Sequence, residues 1–264
     1  MKKQLLLSFD LEEFERAGDQ GVSIGYEGGQ EVQSLCEELD IPATFFTTAS
    51  FAEQVPDFIK ELAQYHEIAC HGLRHQDDYQ TMEEQTALNR LYQGKMLLEH
   101  LIEKKIHGFR APRMRPPSYR VLHSAGFSYS SSLHPTYVPG RYNLLKAPCT
   151  PFEEEGVLEI PVSVSPVFRF PLSWIWFRTM GSSYAKLIIN RLKTDYVCIY
   201  FHPWEFVSIK AYGGPLYTWH TGTPLKTQLK TFLQWILPHT RPVLMSEFTR
   251  EYSANATSTH HVSG

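Results

Sequence analysis

Glu67-Ile68-Ala69-Cys70-His71-Gly72-Leu73-Arg74-His75 runs from a short apolar stretch into two histidines with three residues between them. An apolar run of this length, closed by a glycine, reads as a buried strand. Gly72 permits a sharp change of direction just after the strand, so both imidazoles can be aimed at one point. Two neutral imidazoles form a catalytic-type metal site only if a carboxylate joins them and one coordination position stays open.

Ser8-Phe9-Asp10-Leu11-Glu12-Glu13 offers that carboxylate at the end of another apolar run. Side chains alternate along a strand, so Asp10 and Glu12 share one face and Leu11 takes the other. Two carboxylates on one buried face are costly unless cations pair with them. One suits a metal, and its neighbour suits proton abstraction from water. His107-Gly108-Phe109-Arg110-Ala111-Pro112-Arg113 places Arg110 at a third strand end, where a guanidinium would keep Asp10 ionised. Val197-Cys198-Ile199-Tyr200-Phe201-His202-Pro203-Trp204-Glu205 ends a fourth strand in His202, a candidate general acid. Trp204 is expected to wall a pocket, and Glu205 to orient His202 or bind substrate.

Outward from these segments, strands are expected at 4–10, 43–47, 67–71, 106–110, 127–131, 157–162, 196–202 and 242–246. Helices are expected at 29–38, 56–65, 82–103, 117–125, 184–191 and 224–237. Strand–helix alternation implies a parallel sheet or barrel. Asp10, His71, Arg110 and His202 all fall at C-terminal strand ends, where β/α barrels carry their chemistry. The pattern is that of one α/β domain over 1–252. The small polar tail, 253–264, is expected to be disordered, and 132–156 to be a long ordered loop.

The chain has 264 residues, 42% hydrophobic and 20% charged, with a formal charge of −3. Scattered basic residues and a slightly negative balance exclude a nucleic-acid binder. Cys36, Cys70, Cys149 and Cys198 lie too far apart for a Cys-x-x-Cys site and form no disulfide framework. The apolar run after Lys3 is too short for a secretory signal, and no stretch is long enough to span a bilayer, so a cytoplasmic location is expected. The aromatic patch Phe168–Phe177, with Trp174 and Trp176, offers a peripheral contact to a membrane or lipid carrier.

Taken in order, Ser8-Phe9-Asp10, His71-x-x-x-His75, Gly108-Phe109-Arg110-Ala111-Pro112 and Phe201-His202 resemble the four motifs of the polysaccharide deacetylase (NodB-homology, carbohydrate esterase 4) family. The resemblance spans Ser8 to about Phe248. It implies a distorted (β/α)7 TIM-like barrel and hydrolysis of N-acetyl groups on an amino sugar of a bacterial surface polysaccharide or its precursor. By the same resemblance Asp10 is the base, Arg110 positions it and His202 is the general acid. Glu12, His71 and His75 hold a divalent cation, most often zinc in the family, with cobalt, nickel and manganese also suited to this ligand set. Trp204, Glu205, Pro112 and Tyr137 are candidate substrate contacts, and Trp174 another ring for stacking.

Two departures stand out. Leu11 follows Asp10 where many members have a second aspartate, which shifts the carboxylate ligand to Glu12. Tyr129-Ser130-Ser131-Ser132 carries Ser130 where relatives often place an acid that tunes the acid histidine. Allantoinase-like hydrolysis of a non-sugar amide or ureide and a catalytically silent carbohydrate-binding barrel are the alternative readings. The oligomeric state is open.

Overall fold

The computed structural model describes residues 2–260. Its main sheet comprises β1 (Lys3–Leu11), β2 (Thr44–Thr47), β3 (Glu67–Cys70), β4 (Gly108–Phe109), β5 (Tyr129–Ser130), β8 (Phe152–Glu154), β9 (Val157–Glu159), β10 (Tyr196–Phe201) and β11 (Thr240–Pro242). A separate hairpin, β6 (Tyr137–Val138) with β7 (Tyr142–Asn143), lies in the 132–156 loop. The helices are α1 (Gly21–Glu38), α2 (Ala49–Gln54), α3 (Pro56–Tyr65), α4 (Glu84–Ile102), α5 (Tyr119–Ser124), α6 (Ile175–Ile189), α7 (Pro215–Thr218), α8 (Thr223–Ile236) and α9 (Met245–His260).

Strand order is β10-β1-β2-β3-β4-β5-β9-β8, parallel except for the antiparallel β8–β9 pair. The sheet curls, and the remaining gap is bridged without a regular ladder. Beyond β9, Ser163 N–H donates to the Cys198 carbonyl of β10 at 2.9 Å, and Cys198 N–H donates to Ser163 Oγ at 2.9 Å. Seven parallel strands therefore ring an axis, with closure between β9 and β10 left to side chains and single backbone contacts.

Alternation along the strands builds two cores. Leu5, Leu7, Phe9 and Leu11 face outward with Phe45, Cys70, Phe109, Val197, Ile199 and Phe201, beneath the helices. Leu6, Phe46, Ala69, Cys198 and Tyr200 face the barrel interior. Because the period is two, Asp10, His71, Arg110 and His202 inherit the inward direction of Leu6, Ala69 and Tyr200. The floor is plugged from α9: Met245 and Phe248 join the interior core, and Met245 N–H donates to Thr44 Oγ1 at 3.1 Å. The open end carries the polar residues.

The differences from the sequence expectations are local. The strand expected at 242–246 is only the short β11, since the chain turns into α9 at Met245 to close the floor. From Ser253, where composition argued for disorder, α9 continues to His260, and the rest of that tail lies outside the described residues. Helix α1 starts eight residues before the expected Gly29. Glycine in a helix interior costs about 1 kcal/mol relative to alanine, which argued against a helix through Gly21, Gly25 and Gly28. Packing overrides that cost. A Cβ on Gly28 would stand 2.0 Å from the Pro203 carbonyl oxygen, and one on Gly25 would stand 2.4 Å from that of Glu12. Only a bare helix face lets the backbones beside Glu12 and His202 approach so closely.

Candidate active site

Six residues from four strand ends meet at the open end. Glu12 is 3% exposed, and its Oε2 lies 3.3 Å from His71 Nε2 and 3.3 Å from His75 Nε2. The ligand-capable atoms of Glu12, His71 and His75 all lie within 4.8 Å of one another. Each imidazole is fixed through its other nitrogen. His71 Nδ1–H donates to the Arg110 carbonyl at 2.8 Å, and His75 Nδ1–H donates to Glu15 Oε1 at 2.8 Å. Both acceptors lack protons, so both rings present Nε2 lone pairs inward, as metal-ligating histidines do.

The donor set fits a divalent cation. Glu12 Oε2 is buried and has no hydrogen-bond partner. A bare buried carboxylate oxygen is costly unless a charge meets it. Burial would raise the Glu12 carboxyl, but the positive charge that His75, His71 and His202 carry in acid outweighs it and holds it at about 2. It therefore stays ionised, as a ligand must. Trp204 Nε1–H reaches Glu12 Oε1 at 3.4 Å and limits its rotation.

Asp10, 3% exposed, accepts a charge-assisted bond from Arg110 Nη1 at 2.7 Å. Arg110 is fully buried and every edge is used: Nη1 also donates to Ser8 Oγ, Nε to the Ser131 carbonyl and Nη2 to Ser131 Oγ. Its plane lies 4.1 Å over the Phe46 ring. Such a guanidinium has no freedom to leave Asp10, and the pair is a permanent ion pair. His202 Nε2 stands 3.9 Å from Asp10 Oδ2 across the site.

Glu205 answers the missing acid at Ser130. His202 Nδ1–H donates to Glu205 Oε1 at 3.2 Å, and the His202 backbone N–H donates to the same oxygen at 3.0 Å. Glu205 Oε2 accepts from Arg178 Nη1 at 2.5 Å, and both partners are buried. The short 3-10 turn Pro203–Phe206 brings the i+3 carboxylate back under its own histidine. Ser130 instead donates to Ser132 Oγ inside the barrel. Glu205 lies beneath the ring, outside the pocket, so its available role is orientation and not substrate contact.

The pocket above these groups measures about 210 Å³ and includes Glu12, Glu15, His75, His202, Trp174 and Trp204. Pro112 is buried, and Tyr137 is half exposed on the β6 hairpin; neither lines it. The patch Phe168–Phe177 divides. Trp174 packs edge-on against His202 at 5.3 Å, Phe177 is buried, and Phe168 and Phe170 stack at 5.6 Å on the surface.

Sequence reading missed Glu15, Arg178, Ser131 and Glu159. Glu159 is buried and accepts the Ser132 and Leu133 backbone N–H groups at 2.8 Å, anchoring the turn that grips Arg110. A carboxylate in the strand Val157–Glu159 was a signal, because a buried charge always needs donors. Glu15 and Arg178 carried none: one lies in a 3-10 turn, the other mid-helix.

A sequence profile described as polysaccharide deacetylase matches residues 3–129, and one described as a domain of unknown function (DUF3473) matches 131–231. No curated protein matches the chain. Among solved structures, a candidate polysaccharide deacetylase from Mycobacterium smegmatis is similar at 18% identity and TM-score 0.70, over 97% of this chain and 92% of that one. A second candidate, from Pseudomonas aeruginosa PAO1, shares 15% identity at TM-score 0.65, over 94% and 90%. An allantoinase shares 17% at TM-score 0.64, over 95% and 90%. These likenesses establish the distorted barrel. On that barrel, residues 3–129 of the chain belong to the polysaccharide deacetylase family, hydrolases of linear amide C–N bonds.

Proposed function

We propose that the protein is a metal-dependent N-deacetylase acting on an N-acetylated amino sugar of a bacterial surface polysaccharide or its precursor. The observation that carries this is the bare, buried Glu12 Oε2, 3.3 Å from two imidazole nitrogens and beside an aspartate fixed by a buried arginine. Glu12, His71 and His75 would hold the cation, zinc foremost, and cobalt, nickel and manganese suit the same donors. Bound there, a divalent cation supplies Lewis acidity to the amide carbonyl and acidifies a water.

The rest of the reaction belongs to side chains. Asp10 Oδ2 is the free carboxylate oxygen, since Oδ1 is taken by Arg110, and it accepts the proton of the attacking water. Arg110 holds Asp10 in place throughout. His202 offers Nε2–H to the amide nitrogen as the C–N bond breaks, so the sugar leaves as the free amine and the acyl group as acetate. Glu205, held by Arg178, fixes the Nδ1–H tautomer and stabilises the charged ring before it gives up its proton. Trp204 and Trp174 flank His202 and offer apolar faces to a sugar ring.

The placement of His75 at the carboxylate supports this reading over a cofactor-free ureide amidase, and Glu205 supports it over a silent barrel. Acetate release from N-acetylated sugars, with and without chelator, for wild type and Asp10→Asn is the test. Release abolished by chelator and by Asp10→Asn is expected; metal-loaded protein that releases no acetate from any such sugar sinks the proposal. A lipid-carrier contact, if made through the aromatic patch, falls to Phe168 and Phe170. Liposome co-sedimentation unchanged in Phe168→Ser/Phe170→Ser removes it.

A further inference from the structure

The wall of the pocket is a row of planar groups with a guanidinium at each end. His202 stacks on Trp204 at 4.8 Å, and Trp204 stacks on Tyr217 at 5.9 Å. Arg16 lies 4.2 Å over the Tyr217 ring. On the other side of His202, Trp174 packs at 5.3 Å, and Arg141 lies 5.1 Å over its ring. Arg16, Arg141 and Arg113 all line the pocket. Arg113 is held in the left-handed region at φ 56, a costly conformation for a side-chain-bearing residue.

The carboxylates of the same pocket are already engaged. Glu12 faces His71 and His75, Glu15 accepts from His75, and Glu13 accepts from Gln76. Among the described residues no carboxylate lies within ion-pair distance of Arg16 or Arg141, and the one near Arg113 is Glu15 at 3.8 Å. A guanidinium stacked on an aromatic ring keeps its in-plane N–H donors free, in the fork that matches an oxyanion. Exposed arginines ordinarily reach for neighbouring acids, and these two lie on pocket rings instead.

We propose that Arg16 and Arg141 make the enzyme selective for an acetamido sugar that carries an oxyanion, a phosphate ester or a uronate carboxylate. The pocket of about 210 Å³ falls below the roughly 300–1,000 Å³ of drug-sized sites, so it suits a single sugar ring. That ring lies along the aromatic wall, its acetamido group towards Glu12, His71 and His75, its anion towards the arginine rim. The reaction class rests on the deacetylase reading; the anion selectivity does not.

The test is binding to the metal-loaded Asp10→Asn protein, read by fluorescence of Trp174 and Trp204. Its ligands are N-acetylglucosamine, its 1-phosphate and an N-acetylated aminouronate. Anionic ligands are expected to bind at least about tenfold tighter than the neutral sugar at low salt, with the ratio shrinking as salt rises. The tighter of the two anions tells whether the natural substrate is phosphate-linked or a uronate. In Arg16→Gln/Arg141→Gln, with metal content unchanged, the ratio falls towards one. A ratio near one in the parent protein overturns the inference. A ratio that survives the double substitution also overturns it, because the cation at Glu12 or Arg113 is then the anion's partner. Failure of the deacetylase reading looks different: no acetate from wild type on any of the three sugars, with the anion ratio intact.

Discussion

Replacing Glu15 with glutamine removes one charge from the site without touching a proposed ligand. Glu15 holds His75 by a single bond of 2.8 Å to Nδ1, while His71 is held by the Arg110 backbone carbonyl. Loss of such an outer partner typically costs about 10–100-fold in metal affinity, which is about 1.4–2.7 kcal/mol. The Glu15 side chain is 37% exposed, so solvent screens part of its field and the expected loss is the lower figure, about tenfold. Glutamine can still accept from Nδ1–H, so Glu15→Ala should cost more than Glu15→Gln. Acidity adds a second signature. Burial lowers the His75 pKa, but Glu12 and Glu15 overcome this and raise it, so protons compete with metal in the wild type. Without Glu15 that competition weakens, and the affinity deficit should narrow as pH falls towards 6. Competition against a chromogenic chelator across pH measures both effects. Unchanged affinity in both variants would refute the orienting role; a loss beyond about a thousandfold would make Glu15 a ligand.

Arg178→Met should destabilise the fold by about 3–5 kcal/mol in urea melts, since it strips the buried Glu205 carboxylate of its arginine and leaves Oε2 bare, and Arg178→Met/Glu205→Gln should recover much of that. Recovery of stability without recovery of acetate release would separate the structural role of Glu205 from its effect on His202. Gly28→Ala puts a Cβ against the Pro203 carbonyl oxygen and should cost about 1–3 kcal/mol by calorimetry, despite alanine's better helix propensity; a stabilised variant contradicts that packing. Burial raises the Glu159 pKa, against the Ser130 hydroxyl and the backbone N–H groups of Leu133 and Ser132. The folded protein therefore holds that proton to higher pH than the unfolded chain, and this contribution to stability is lost as pH rises through the folded pKa. Glu159→Gln should flatten that fall in melts taken above the ordinary carboxylate range; an unaltered slope assigns it to other groups.

The chemistry-bearing strand ends were legible because their signal is local. Asp10, His71, Arg110 and His202 each close an apolar run of period two, and that alternation sets both the strand and the inward face. The offset from Asp10 to Glu12 follows from the same rule. Local rules misread α1, because glycines at 21, 25 and 28 look helix-breaking until the backbones they touch are known. They also misread 242–246, where the turn at Met245 exists to seal the barrel floor with Phe248.

The sequence by itself determined the strand–helix alternation of a parallel sheet or barrel and the strand ends that carry Asp10, Glu12, His71, His75, Arg110 and His202. Each needs only the spacing of residues within one strand and its following turn. Tertiary structure alone decided what those residues lean on. Glu15 reaches His75 over 60 positions, and Arg178 reaches Glu205 from a helix 27 positions away. The arginines at the pocket rim come from a turn, a strained loop and a hairpin that share no pattern. Long-range partners carry no periodicity, and only the closed barrel brings them to one rim.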